Sequence, residues 1–487
     1  MKNKGSTRTK SVPFGEKAEE SHKKVSRPTG RTPSSSQARE AQGKSLREKC
    51  PRLSHGKVLL GQGERDPLDL LESSSKDRVE SLLPVRWGRM MESAFAFFRG
   101  SAILQAHDLK GTPTSGLIVR ACGDCHLLNF GGFATPERLL AFDVNDFDEN
   151  FPAPFEWDLK RLTTSIVLAG RWLQFDKGAI GNAVNAAAGA FRKAITTFSR
   201  MSILDIYYAK STVDELLNDY SDVPQVREKL SRSVSAALQN NSEHVFHKVT
   251  RMVDGQPRII DSPPLLFHPD PADLHLELAP FLQNYRESLP ADRRVLLDRY
   301  RLVDVAFKVV GVGSVGTRSL IVLFLGDQDE PLFLQVKEAR ASVLEGVAGP
   351  SPWSNHGERV ITGQRLLQSA SDIFLGWSRG IDGRDYYVRQ LRDCKIAPEL
   401  VGMTPRALAA YSELCGRTLA RGHSKSGDAA SISGYIGTGT KFDKAIQRYA
   451  IAYANQVEKD FDTFQLAVKA GRFPTGTLTS EIERAIR

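Results

Sequence analysis

Residues 302–339 read LVDVAFKVVGVGSVGTRSLIVLFLGDQDEPLFLQVKEA. Three runs rich in Val, Leu, Ile and Phe are joined by the glycine-rich stretch Gly311-Val312-Gly313-Ser314-Val315-Gly316 and by the turn Asp327-Gln328-Asp329-Glu330. Apolar runs of strand length with turn residues between them predict three consecutive antiparallel strands. A helix is expected next, from about His356 to Ser369, and then DIFLGWSRGIDGRDYYVRQLRD predicts a hairpin turning at Asp382-Gly383. Together these make a small antiparallel β lobe over residues 300–395.

On both sides of this lobe the hydrophobic period becomes helical. SLLPVRWGRMMESAFAFFRGSAILQAHDL, DLKRLTTSIVLAGRWL and the alanine-rich AIGNAVNAAAGAFRKAI precede it, and TPRALAAYSELCGRTLARGHSK and FDKAIQRYAIAYANQVEKDFDTFQLAVKAG follow it. Inside the first helical block the period changes briefly: GLIVRAC and RLLAFDVNDFDE read as strands, with the loop GDCHLLNFGGF between them. The expected fold class is α+β, with a helical lobe over 66–260 carrying these loops, the β lobe, and a helical segment over 396–487 that completes the large lobe. The Pro-rich DSPPLLFHPDPAD is the expected internal boundary.

The 487 residues are 41% hydrophobic and 25% charged, a globular balance. The first 50 carry 13 Lys or Arg against five Glu, a net of +8, so of the whole chain's +9 only +1 belongs to the rest. With almost no large apolar residue there, residues 1–55 are expected to be a disordered basic tail that binds anionic partners without specificity. A basic nucleic-acid face on the body is not supported. No run approaches the ~20 apolar residues of a membrane span. Five scattered cysteines, an odd number, fit a reducing compartment, and a cytoplasmic protein is expected. Cys122 and Cys125 form one CxxC with no second pair at zinc-finger spacing.

The chemistry is carried by two constellations. In Gly123-Asp124-Cys125-His126-Leu127-Leu128-Asn129 an Asp and an Asn stand five apart on a loop between strands. Phosphoryl transfer uses such a pair, the carboxylate taking the proton of an attacking hydroxyl and the amide oxygen ligating Mg²⁺ beside a second acid. Asp143, Asp146 and Asp148 follow in FDVNDFDE, and carboxylates this close ask for a hard cation, Mg²⁺ or Mn²⁺. In the second constellation, Gly311, Gly313, Ser314 and Gly316 lie between strands and not before a helix, which argues against a Rossmann or Walker loop. A glycine-rich hairpin can instead fold its N–H groups over a triphosphate, with a lysine on a neighbouring strand, here Lys337, pairing with the phosphates. Glu358 on the following helix is the expected ion-pair partner of Lys337, with Glu338 and Glu345 as rivals. Arg99 and Arg318 are further candidates for holding an anion, with a structural salt bridge as the equal alternative for each.

GDCHLLNFG followed by DFDENFPAPFEWDLKRL resembles the HGDxxxxN loop and metal-binding segment of aminoglycoside phosphotransferases and their protein-kinase-like relatives. The resemblance implies that Asp124 is the catalytic base, that Asn129 and Asp146 hold Mg²⁺, and that Asp158, twelve residues after Asp146, fixes the loop. Cys122 stands where those relatives often have His. Over about residues 80 to 475 the chain also resembles the bacterial domain of unknown function 2252, through FAFFRG, CGDCHLLNFG, WDLKRL, VGVGSVGTR, LQVKEA, YVRQLRD and LARGHSKSGD. In ordinary kinases the glycine loop and lysine come first, whereas Asp124 here precedes Gly311. A circularly permuted, two-lobed protein-kinase-like fold reconciles the order. The expected activity is ATP- and Mg²⁺-dependent transfer to a hydroxyl of a small molecule or protein. The alternatives are a non-catalytic nucleotide-binding regulatory protein, nucleotidyl transfer, or a metal-dependent hydrolase built on Asp124, His126, Asp143, Asp146 and Asp148.

Overall fold

A computed structural model describes residues 35–60, 65–219, 227–228, 231–232, 234–235, 242–263, 266–268, 278–309, 313, 315–391, 396 and 398–476. From Ser36 onward the chain is one compact unit of mixed α and β structure. Its strands in chain order are β1 (Ile118–Ala121), β2 (Phe130–Ala134), β3 (Leu140–Val144), β4 (Phe151–Pro154), β5 (Thr250–Val253), β6 (Gln256–Ile259), β7 (Leu266–Phe267), β8 (Arg301–Lys308), β9 (Ser319–Leu325), β10 (Pro331–Ala339), β11 (Gly376–Arg379) and β12 (Asp385–Gln390).

The three strands read from 302–339 are β8, β9 and β10, and the hairpin at Asp382-Gly383 is β11–β12, with Gly383 at φ +78°. They form one antiparallel sheet in the order β11-β12-β10-β9-β8-β7. Every residue of β9 is buried, because the sheet is covered on both faces. Leu320, Val322 and Phe324 pack with Phe281 and Tyr285 of the helix Leu278–Ser288, whereas Ile321, Leu323 and Leu325 pack with Val245, Ile259 and Leu266. Successive residues of a strand point to opposite faces, so a doubly covered strand reads as a continuous apolar run. The sheet also begins earlier than the expected boundary at 300, since β7 pairs with β8 through Leu266↔Lys308 and Phe267↔Phe307.

The helical part centres on the helix Phe155–Trp172, in which sixteen of eighteen residues are buried. Around it lie the helices Lys177–Phe198, Pro405–Ser426 and Lys441–Lys469. The alanine-rich composition of Lys177–Phe198 serves a close helix crossing: a Cβ on Gly416 would lie 2.2 Å from the Ala187 carbonyl oxygen. Segments from both ends of the sequence thus build one helical body. No helix among the described residues is long and apolar enough to cross a membrane.

The basic tail differs from expectation. Residues 1–34 lie outside the described residues, but Ser36–Lys49 is an α-helix and Arg52–Gly56 a 3₁₀ turn. This helix needs no large apolar side chains because it meets the helix Ala429–Ile436 backbone to backbone. A Cβ on Gly43 would lie 1.9 Å from the Ser431 carbonyl, and one on Gly434 would lie 2.0 Å from that of Glu40. Arg47 Nε donates to Tyr435 O at 2.8 Å and Arg52 Nη1 to Ile436 O at 2.7 Å, capping carbonyls at the end of the partner helix. Some of the basic residues counted toward a solvated arm are therefore helix caps.

Candidate active site

Two short ladders assemble the site. β1 pairs with β4 through Ala121↔Phe151, so the loop leaving β1 and the loop entering β4 emerge side by side. The far ends of the same two loops are closed by β2 and β3, paired through Phe130↔Val144, and Asn145 N donates to Asn129 O at 2.8 Å. Loop 122–129, carrying Asp124 and Asn129, is thereby held against loop 145–150, carrying Asp146, Asp148 and Glu149. β2 was read as loop because of Gly131 and Gly132. Those glycines instead admit a second strand-like neighbour, Ile396, whose N–H and C=O exchange hydrogen bonds with Gly132 at 2.7 and 2.9 Å.

Gly123 makes the turn possible. Its φ is +81°, and a Cβ there would sit 2.1 Å from the Glu149 carbonyl oxygen. Asp158, in the first turn of the helix Phe155–Trp172, accepts from Cys122 N at 2.7 Å, Gly123 N at 3.0 Å and His423 Nε2 at 2.9 Å. One turn further on, Arg161 donates through Nε to Asp124 Oδ1 at 2.7 Å, and its Nη2 bonds the Phe98 carbonyl at 2.8 Å. Burial raises the Asp124 carboxyl above its usual range, and Arg161 works against that rise. Asn129 donates through Nδ2 to Asp124 O at 2.6 Å, which leaves its Oδ1 as an acceptor facing outward from that bond. His126 is buried, its Nδ1 accepting from Leu128 N at 3.2 Å; burial and then Arg99 and Arg161 push its pKa well below the ordinary value.

Lys337 reaches this loop from β10. Its Nζ is paired with Asp148 Oδ2, and Tyr387, its register partner on β12, donates to Asp148 Oδ1 at 2.7 Å. Burial alone would discharge Lys337, but Asp148 more than compensates and holds it above the ordinary lysine range. Burial would likewise raise Asp148, yet Lys337 keeps it below the carboxylate range. Asp146 has no such cation at contact, and burial with Asp148 beside it raises its pKa. Burial pushes Glu149 up to about 7, although its Oε2 accepts from Val343 N at 2.7 Å.

Asp124, Asn129, Asp146 and Asp148 therefore line one cavity of about 880 Å³, bounded elsewhere by Gly313, Thr317, Arg340 and the helices before β1. Asp143 does not. It is fully buried, with its oxygens taken by Arg421, by Ser369 N and Oγ at 2.8 and 2.9 Å, and by its neighbour Val144 N at 2.9 Å. Glu358 is also elsewhere: its N–H is held at 3.0 Å by Asn355 at the start of its helix, and the carboxylate on Lys337 is Asp148. The rivals are occupied too, Glu338 by Arg318 at 3.3 Å and Glu345 by Arg359 at 3.6 Å. Gly316, at φ +86°, accepts from Val79 N at 2.8 Å; Gly311, Ser314, Cys394 and Arg392 lie outside the described residues.

Three side chains that carry the architecture were not singled out from sequence. Arg161 orients Asp124. Arg359, fully buried on the helix His356–Leu367, donates to the carbonyls of Asn150, Asp148 and Arg340 at 2.7, 2.8 and 2.7 Å and so clamps the acidic loop to the end of β10. Tyr387 completes the Asp148 site. Arg161 had one signal, its i+3 spacing from Asp158 on a helix; Arg359 is the immediate neighbour of the glutamate that was chosen instead.

Among the described residues, the set of three Cys, His, Asp or Glu side chains whose ligand atoms lie within 4.8 Å of one another is Cys122, Cys125 and Asp158. It suits a metal poorly, because both Asp158 oxygens already accept main-chain N–H groups, the hydrogen bond with Cys125 and then burial raise the Cys122 thiol, and burial raises the Cys125 thiol. Asn129 and Asp146 instead line the cavity, and amide and carboxylate oxygens are the donor types that hard divalent cations take.

Residues 78–467 match the family described as uncharacterized protein conserved in bacteria (DUF2252). The chain belongs to that family. No curated protein and no solved structure matches it.

Proposed function

We propose that this protein is an ATP- and divalent-cation-dependent phosphotransferase acting on a hydroxyl, with a kinase-like arrangement in inverted chain order. The observation that carries the reading is the meeting of Lys337 with the acidic loop: its partner Asp148 stands two residues from Asp146 and shares a cavity with Asp124 and Asn129, although 189 residues separate the lysine from that aspartate. A hydrolase built on all three aspartates of FDVNDFDE loses one of them, since Asp143 is committed to Arg421 and Ser369.

In this reading Asp124 orients the acceptor hydroxyl and takes its proton through Oδ2, the oxygen that Arg161 does not bond. Arg161 fixes the carboxylate and Asp158 fixes the main chain on which it stands. Asn129 Oδ1 and Asp146 would hold the cation, which when bound supplies charge neutralisation to the phosphates. Lys337 keeps Asp148 ionised and in place, and Gly313 and Thr317 line the cavity on the sheet side.

The test is thermal shift of the full-length protein with ATP or a non-hydrolysable analogue, with and without Mg²⁺ or Mn²⁺, followed by ADP formation. Metal-dependent stabilisation is expected in wild type and Asp124→Ala and is expected to be lost in Asp146→Ala, with turnover lost in both variants. Absence of stabilisation of wild type by any nucleotide would sink the proposal.

A further inference from the structure

The acids at the cavity share its walls with arginines that the mechanism above does not use. Arg78 donates from Nε to Ser74 O at 3.2 Å and from Nη1 to Val315 O at 2.6 Å. Arg340 donates from Nη1 to the same Ser74 oxygen at 3.1 Å and from Nη2 to Lys76 O at 2.6 Å. Sharing one acceptor places the two guanidinium groups side by side. Arg86 joins them from the next helix, bonding Gly313 O at 2.8 Å and Gly100 O at 2.6 Å. All three line the cavity.

Main-chain carbonyls orient Arg78 and Arg340 without neutralising them. Among the described residues neither Arg78 nor Arg340 has a carboxylate within ion-pair distance. Burial, and after it the neighbouring Arg340, lowers Arg78 to about 10. Like charges held together in a partly buried wall oppose folding. They are explained if an anion completes them, and guanidinium forks match the oxygens of a phosphate group. The carbonyls of the glycine-rich turn take part in the fixation, so the arginines and the turn are one construction.

We propose that Arg78 and Arg340, backed by Arg86, form a phosphate-binding subsite of the cavity, distinct from the Asn129 and Asp146 pair. The phosphate has two possible sources, the polyphosphate of a nucleotide or a phosphate group on the acceptor, and the choice between them rests on the phosphotransferase reading. The subsite itself does not.

Titration calorimetry of the full-length protein with inorganic phosphate and pyrophosphate is the experiment, repeated on Arg340→Gln and Arg340→Lys and in the presence of a saturating non-hydrolysable ATP analogue with Mg²⁺. Pyrophosphate is expected to bind wild type, and about tenfold more weakly or worse to Arg340→Gln, with partial recovery in Arg340→Lys. Competition with the analogue assigns the subsite to the nucleotide, and undiminished binding assigns it to the acceptor. Pyrophosphate binding without any binding of the analogue would retain the subsite and remove the phosphotransferase reading. No binding of either anion to wild type at millimolar concentration, or equal affinity in a folded Arg340→Gln, overturns the proposal.

Discussion

Replacing Asp158 by alanine should undo the loop on which Asp124 stands. The carboxylate is 2% exposed and accepts three hydrogen bonds, from Cys122 N, Gly123 N and His423 Nε2. Alanine leaves three buried donors without an acceptor, each costing about 1–3 kcal/mol, so a loss of about 3–6 kcal/mol is expected once partial relaxation is allowed. That is a large part of the ~5–15 kcal/mol by which a domain is ordinarily stable. Asparagine should cost less, about 1–3 kcal/mol. With its oxygen in the place of Oδ2 it still accepts from Cys122 and His423, but its NH₂ then faces the Gly123 N–H, donor against donor. Urea denaturation of the three proteins gives the ordering wild type, Asp158→Asn, Asp158→Ala. Native-state hydrogen exchange adds a local readout, since the Gly123 amide should lose protection in both variants and the Cys122 amide in Asp158→Ala. An Asp158→Ala protein within about 1 kcal/mol of wild type, with those amides still protected, would refute the account.

Lys160 is wholly buried, its Nζ 4.6 Å from the centre of the Tyr449 ring and without a hydrogen-bond partner among the described residues, and burial lowers its pKa from 10.5 to about 8. A folded pKa below the unfolded one means that stability rises between pH 8 and 10.5, and Lys160→Met should flatten that rise and add about 2–3 kcal/mol at pH 7, read by denaturation at both pH values. Glu149 behaves in the opposite sense: burial lifts it from 4.5 to about 7, so the unfolded chain loses its proton first and stability falls as pH rises through that window. Glu149→Gln should abolish that fall in a Tm-against-pH series, and an unchanged profile would reject the assignment. Gly123→Ala must meet both an unfavourable φ and the Glu149 backbone; a loss of about 2 kcal/mol or more is expected by urea denaturation.

The sheet was legible because its central strands β9 and β10 are buried on both faces, which gives β9 the apolar run Leu320–Leu325 and β10 the run Leu332–Leu334 on either side of an acidic turn. β2 and β4 were not. Gly131 and Gly132 look like loop punctuation, and Pro152 and Pro154 look incompatible with a strand, yet β4 pairs only with β1 and can spare the N–H groups that proline lacks. The helix Ser36–Lys49 was hidden for a different reason. Its contact is made by Gly43, Gly434 and arginine-to-carbonyl bonds, and hydrophobic periodicity carries no trace of those.

Asp124, Asn129 and Asp146, singled out by spacing and resemblance, line one cavity, but spacing alone does not separate the three aspartates of FDVNDFDE. What separates them is where β3 ends. Asp143 lies within the strand and points to Arg421 in the core, while Asp146 and Asp148 lie beyond it in the loop that β4 recaptures.

The same geometry explains why chain order matters so little here. Each of the two loops is closed at both ends by an antiparallel ladder, and Asp124 is oriented by Arg161 from a helix that follows directly in sequence. The main-chain frame of this half of the site is built over residues 118–161, and the sheet lobe then fixes the Asp148 side chain through Lys337 and Tyr387. The sheet is then attached by Arg359, which bonds carbonyls on both the acidic loop and the end of β10, and by Lys337 on Asp148. A clamp made to main-chain atoms depends on where two segments meet and not on which was written first in the sequence. A lysine strand following the Asp loop can therefore reach Asp148 as effectively as one preceding it.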